Sequence, residues 1–171
     1  MILRDHGLAV EVPRGWDARI FRRPESAIAV PSAPEAPDAP APQSGWTDPI
    51  LHLANFALPE QRGDYGSGAV NLMGASHVFI ALVEFGPASA GTAMFSASGM
   101  PRLRAASLAT QTMQRPIPGM AGVQRFFHVG APPEARAFCC YAGIGSFARR
   151  SVLAPVLNAA LAGIDIGARS G

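Results

Sequence analysis

Between His77 and Phe85 the chain reads HVFIALVEF, in which only His77 and Glu84 are polar. A strand sends successive side chains to opposite faces, so such a run must be covered on both sides. The β-branched and aromatic residues at Val78, Phe79, Ile80 and Val83 favour a strand over a helix. The uninterrupted apolar stretch Val78–Val83 is six residues, far short of the about 20 that span a bilayer as a helix. The chain is therefore expected to build a sheet around this strand, with a further layer on each face. Membrane insertion, a coiled coil and a collagen helix are excluded.

Other segments supply the neighbours. Leu8, Val10 and Val12 alternate with Ala9 and Glu11, and Pro13-Arg14-Gly15-Trp16 interrupts them before Asp17–Arg23 alternates again. Two strands about a short turn predict an opening hairpin. Ile50–Leu58 reads as a strand with Ile50, His52, Ala54 and Phe56 on one face, ended by Pro59. Val123–Val129 and Ala137–Ile144 predict a second hairpin. Gln61–Gly68 is turn-rich, and Ala69–Met73 has room for one helical turn. Leu103–Met113 reads either as a weak helix or as part of a loop with a short strand at Met94–Phe95. Near the C-terminus Val152, Leu153, Val156, Leu157, Ala160, Leu161 and Ile164 recur at three- and four-residue steps, the stripe of an amphipathic helix. Ser146 is its candidate cap, Ser151 its expected start and Gly163 its expected end. The fold class is α+β: a largely antiparallel sheet of about six strands with the C-terminal helix packed on one face.

Residues 31–45, PSAPEAPDAPAPQSG, carry proline at 31, 34, 37, 40 and 42. Neither a helix nor a sheet ladder survives that spacing, so a flexible, extended loop is expected. The 30 residues before it cannot bury a core alone, which makes 1–171 a single domain containing a Pro/Ala-rich loop.

Charge narrows the partners. All 14 basic residues are arginine, they scatter along the chain, and the net charge is only +2. Nucleic-acid binding is disfavoured, because it draws on clustered positive charge. Ala, Gly and Pro rise together with Arg, the signature of GC-rich coding. The first residues lack the apolar core of a secretory signal. The two cysteines, Cys139 and Cys140, are neighbours that a strand would point to opposite faces, so two free thiols in a reducing cytoplasm are expected.

Few constellations suggest chemistry. Gly143-Ile144-Gly145-Ser146-Phe147-Ala148 matches G-x-G-x-x-G/A between a strand and a helix, with Asp165 at ribose-binding distance. The further strands of a dinucleotide fold do not follow, which leaves a tight turn at Gly145 and Ser146 with an anion at the helix end as the functional reading. The histidines His6, His52, His77 and His128 lack zinc-type spacing, so no metal site and no cofactor are expected. His52 and His128, flanked by apolar residues, read first as satisfied core histidines and second as ligand contacts. No GxSxG elbow marks a hydrolase. Gly-framed Asp64-Tyr65 reads as a capped turn or a recognition loop, since tyrosine offers contact area and a hydroxyl at low entropy cost. Trp16 and Trp46 follow glycines in turns, and Trp46 is the second candidate contact.

The opening Gly7–Trp16, an apolar strand followed by Pro-x-Gly-Trp, resembles the start of the PsbP/Mog-type superfamily, and the terminal amphipathic helix after a hairpin is similar to its plan. The strands LHLANF and GVQRFF are similar to those of a group of actinobacterial proteins, which implies no activity. The superfamily resemblance implies an αβα-layered antiparallel sheet and a non-enzymatic role as an assembly factor, complex subunit or adaptor, with no catalytic residues to carry over. The expected function is a cytoplasmic, non-catalytic protein-interaction or assembly module of a larger bacterial complex, with a protein partner or self-association through Trp46, Asp64 and Tyr65. The second reading is a small-molecule or anion-binding protein using Gly145, Ser146, His52 and His128. A hydrolase comes third.

Overall fold

Among the residues that the computed structural model describes, 1–24, 47–113 and 115–169, the chain runs through eight strands and one α-helix. They are β1 (Ile2–Asp5), β2 (Leu8–Glu11), β3 (Asp17–Phe21), β4 (Ile50–Ala54), β5 (Val78–Phe85), β6 (Ala121–Val129), β7 (Arg136–Ile144), α1 (Arg150–Ala162) and β8 (Ile164–Ile166). The loop expected at 31–45 and Trp46 lie outside the described residues. The strands form a five-stranded sheet, β3-β4-β5-β7-β6, and a three-stranded sheet, β1-β2-β8. Every neighbouring pair is antiparallel. The α+β class with its C-terminal helix stands, as two sheets rather than one.

The HVFIALVEF run is the central strand, β5. Its Val78, Ile80 and Leu82 share a core with Leu153, Leu157 and Leu161 of α1 and with Leu8, Val10 and Ile164 of the small sheet. Phe79 and Ala81 face the other way and pack with Ala54 and Tyr141. Among the described residues, the cover on that second face is not the helical layer implied by the superfamily resemblance. Two loop segments supply it: Leu58, Ala69, Val70 and Met73 from one, Met113 and Met120 from the other. The turn expected at Ala69–Met73 appears as a single 3-10 turn, Val70–Leu72.

The opening hairpin differs from expectation. β2 pairs with β1 and β8, whereas β3 pairs with β4 in the other sheet. Pro13-Arg14-Gly15-Trp16 closes with Trp16 N–H donating to the Pro13 carbonyl at 3.1 Å and Gly15 at φ +80°, a type II arrangement. That turn splays its flanking strands instead of letting them twist together. The tight hairpin is instead β1–β2, through His6 (φ +49°) and Gly7 (φ +71°), the two left-handed positions of a type I′ turn.

The terminal helix begins at Arg150, and Ser146 does not cap it. Ser146 precedes a 3-10 turn, Phe147–Arg149, and makes no side-chain cap hydrogen bond. The helix itself starts one residue before the expected Ser151. Pro155 lies in the second turn on the exposed side, where it forfeits one intrahelical bond. Gly163 ends the helix at φ −84°, outside the left-handed region.

Leu103–Met113 is neither helix nor strand. Asn158 of α1 accepts from the Leu103 N–H and donates to the Leu103 carbonyl, both at 2.8 Å. That grip spends the backbone groups a helix would use, and only the short 3-10 turns Ala105–Ser107 and Thr110–Thr112 follow. Ala93–Phe95 is likewise a 3-10 turn. The hairpin β6–β7 forms as expected, in register from Ala121↔Ile144 to Val129↔Arg136.

One ion cluster ties the two sheets together. Arg136, 2% exposed, donates through Nε and Nη2 to both oxygens of the buried Glu84 at 3.0 and 2.6 Å. Its remaining N–H groups reach the carbonyls of Gly7 (2.8 Å), Gly167 (2.9 Å) and His6 (3.2 Å). All five donors of the guanidinium are used. The β1–β2 turn and the segment after β8 are thereby pinned to the end of the large sheet. Arg169 adds a second cation on Glu84 at 2.7 Å.

Candidate functional site

The loop-covered face of the large sheet holds the chemistry-bearing side chains. Strand alternation brings His52 of β4 onto this face, beside Phe21 of β3 and Phe79 of β5, at ring-centroid distances of 5.1 Å each. His52 is fully buried. Arg62 donates its Nε–H to His52 Nδ1, and Nε2 meets the Asp64 carbonyl, each at 2.8 Å. Since guanidinium only donates, Nδ1 must carry the lone pair and Nε2 the proton. Burial is the largest cause that pushes the imidazole pKa down to about 4, and the cations Arg62 and Arg23 add to it against the opposing Asp64 carbonyl. His52 is a neutral structural post under the loop.

The same loop carries the two residues singled out in sequence. The Asp64 carboxylate pairs with Arg23, and its carbonyl holds His52. The Arg23 and Arg62 guanidinium groups each stand over the Phe21 ring, 5.2 and 5.1 Å from its centroid. Gly66, at φ +85°, rests directly on Phe79, and a Cβ there would come within 2.2 Å of the ring. This close approach is what the glycines of QRGDYGSG permit. Tyr65 is half-buried with the Cys139 thiol beside it. Burial, with Cys139 contributing, pushes the Tyr65 phenol up to about 12. The loop thus turns both residues toward the sheet.

Cys139 faces this loop while Cys140 joins the helix-side core, and both thiols are free and buried. Burial raises them to about 11 and about 12, the opposite of what a nucleophilic cysteine needs.

The sequence-derived ligand residues do not share a site. In register, His52 lies opposite Ala81, which faces Tyr141, which faces Gln124. His128 is therefore three strands across and four residues further along, roughly 20 Å away at ordinary strand dimensions. Its Nδ1 is engaged by the Phe95 carbonyl at 2.7 Å. Gly145 and Ser146 lie beyond the opposite end of β7. A Cβ on Gly145 would fall 1.8 Å from the Gly74 carbonyl oxygen, so this glycine serves a backbone crossing. The N–H of Phe147 is taken by the Gly119 carbonyl at 2.6 Å.

What sequence reasoning missed is a cavity of about 370 Å³ between the two covering loops. Tyr65, Ser67, Asn71 and Arg115 stand around it, with Met113 and Tyr141 below. The Tyr141 hydroxyl donates to the Met113 sulfur at 3.0 Å, and burial lifts its pKa to about 12. Arg115 donates to Asn71 Oδ1 at 3.3 Å and, among the described residues, has no carboxylate within ion-pair distance. A wider groove beside Gly130–Arg136 and Ile166–Arg169 has its cations committed, Arg136 to Glu84 and Arg169 to Glu84 and Asp48.

Among the described residues there is no group of three metal-capable side chains, and no helix is long and apolar enough to cross a membrane. No protein-family model, curated protein or solved structure matches this chain.

Proposed function

We propose that the protein is a non-catalytic, cytoplasmic interaction module, an adaptor or assembly component that docks on an acidic protein partner within a larger complex. The observation that carries this reading is one end of the large sheet. There Phe147, Val152 and Leu72 are exposed, at 38%, 59% and 59%. The Phe147–Gly119 bond, the Gly145–Gly74 crossing and the Arg149 contact to the Ala75 carbonyl gather the segments 72–76, 115–119 and 145–155 around that end. These segments hold Arg115, Arg149 and Arg150 and no acidic residue. Exposed apolar side chains interleaved with arginines, Arg150 lying 4.2 Å over the Phe147 ring, fit a partner with apolar and carboxylate groups, and oppose a second copy presenting the same arginines. The non-catalytic part is supported by His52, whose ring nitrogens are both engaged, and by the two buried thiols. The PsbP/Mog-type resemblance at Gly7–Trp16 points the same way.

The test is sedimentation of the protein at native level in extracts of its own host, compared with a Phe147→Ser/Val152→Ser variant. The wild type is expected in a complex that dissociates with salt, the variant as a monomer with an unchanged melting temperature. A monomeric wild type, a variant that stays in the complex, or self-association of the purified protein through this end overturns the reading.

A second reading, small-molecule binding, is favoured by the cavity below Tyr65, whose volume lies within the range of ligand pockets.

A further inference from the structure

Among the described residues, the cavity between the covering loops has one cation and a lining that is otherwise uncharged. Its floor is Tyr141, whose hydroxyl is turned to Met113. One wall is Tyr65, which stays a neutral phenol at physiological pH because burial raises its pKa. Val70 and Ile117 complete an apolar interior, while Ser67 and Asn71 provide hydrogen-bonding groups near the mouth. Arg115 stands at that mouth. Among the described residues its one hydrogen bond is to Asn71, at 3.3 Å, which uses one of the five donors of the guanidinium.

We propose that this cavity binds a small, flat, unsaturated carboxylate, with the planar body along the half-buried Tyr65 and the carboxylate on Arg115. The proposal rests on the small-molecule reading and names its ligand class. A single guanidinium matches one carboxylate through two parallel N–H···O bonds. A phosphate dianion would need more positive charge than the lining holds. At about 30 Å³ per water molecule, the volume holds about a dozen waters, hence a ligand of about a dozen non-hydrogen atoms. The Tyr65 ring favours a planar body over a branched aliphatic one, through stacked or edge contacts. Met113 in the floor, with Met73 and Met120 in the same apolar cluster, gives the site a soft wall that adapts to the exact outline of the ligand.

Titration of the full chain with trans-cinnamate, followed by amide chemical shifts, tests this directly. Saturable shifts are expected at Tyr65, Asn71 and Met113. Cinnamamide, the uncharged isostere, and hexanoate, a flexible carboxylate, are each expected to bind about tenfold more weakly. Arg115 is exposed, so Arg115→Gln is expected to fold normally and to lose about the same factor for cinnamate. Equal binding of cinnamate and cinnamamide at the cavity, or an indifferent Arg115→Gln, overturns the carboxylate assignment and leaves the small-molecule reading standing. Equal binding of hexanoate overturns the planar body. If no probe shifts the cavity residues saturably, both the proposal and the reading beneath it fall.

Discussion

Replacing Arg136 by Met should be the most damaging conservative-volume change in the molecule. The guanidinium is 2% exposed and holds both oxygens of a Glu84 side chain that is itself fully buried. Met occupies much of the stem but supplies no donor. Breaking a buried ion pair from one side typically costs about 3–5 kcal/mol, because the partner charge is left unpaired. Arg169 still donates to Glu84 Oε1 at 2.7 Å, which places the charge penalty near the lower end, about 3 kcal/mol. The carbonyls of His6, Gly7 and Gly167 also lose a donor. They lie in turns that water can reach, so each adds less than about 1 kcal/mol. A total of about 3–5 kcal/mol is a third or more of the stability of an ordinary domain, about 5–15 kcal/mol.

The second corner of a double-mutant cycle separates the stranded charge from the lost packing. Glu84→Leu alone strands Arg136 and should also destabilise. Combining it with Arg136→Met removes both charges, so the double variant should be more stable than the summed single losses predict, by about 2 kcal/mol or more. Urea denaturation of the four proteins gives the free energies, and unchanged slopes confirm that the same transition is compared. Arg136→Met within about 1 kcal/mol of wild type, or a cycle additive to about 0.5 kcal/mol, would refute the claim that this cluster fastens the two sheets. Amide exchange supplies a local check: the Gly167 N–H, bonded to the Gly7 carbonyl at 3.0 Å, should lose protection first in Arg136→Met.

The histidine makes a pH prediction. His52 titrates near 4 in the folded protein against about 6.5 unfolded, so the unfolded chain binds more protons between these values. Its contribution is complete above about pH 6.5 and is lost as pH falls toward 4, about 3 kcal/mol in all; His52→Asn should flatten stability over that window, and an NMR titration placing the His52 midpoint near 6.5 would sink the idea. The thiols make a second: at pH 7.5 the native protein should leave Ellman's reagent unreacted, with both cysteines modified at once on unfolding, whereas one rapidly reacting thiol would contradict burial of Cys139 and Cys140.

Which features were legible follows from the range of the interactions that produce them. β5, the β6–β7 hairpin and α1 are written in local hydrophobic patterns, each at its own period. β8 is three residues between glycines, and it exists because Ile166 pairs with Leu8 across almost the whole chain. β1, with Arg4 and Asp5 in four residues, shows no alternation strong enough to announce it. The partner of β2 was misread because proximity in sequence favours a hairpin across Pro13–Trp16, while the twist sense of that turn forbids it. The Glu84–Arg136 pair had one signal: a carboxylate inside an apolar central strand must be neutralised by something. Nothing local says that the neutralising group is 52 residues away.

The cavity was hidden for a different reason, which lies in how the two faces of the large sheet are covered. On one face α1 lays a regular row of Leu153, Leu157 and Leu161 against the strands, and such ridges close-pack. On the other face two irregular loops do the covering, and Gly122 and Gly143 lie directly opposite each other in the sheet beneath them. With no side chains at that pair, the Tyr141 ring leans over it, about 3.2 Å from where a Cβ of Gly122 would stand. The Met113 sulfur from one covering loop enters the same space, 3.0 Å from that Cβ position, and the Met73 sulfur from the other lies 3.9 Å from the Cβ position of Gly143, so the pair is filled from above by the floor of the cavity. Two cross-strand glycines under a tyrosine are the only sequence trace of this arrangement. They can be read only once the register of β6 on β7 is known, since a one-residue slip of β6 would turn Gly122 to the helix side and leave Gly143 facing a side chain-bearing neighbour.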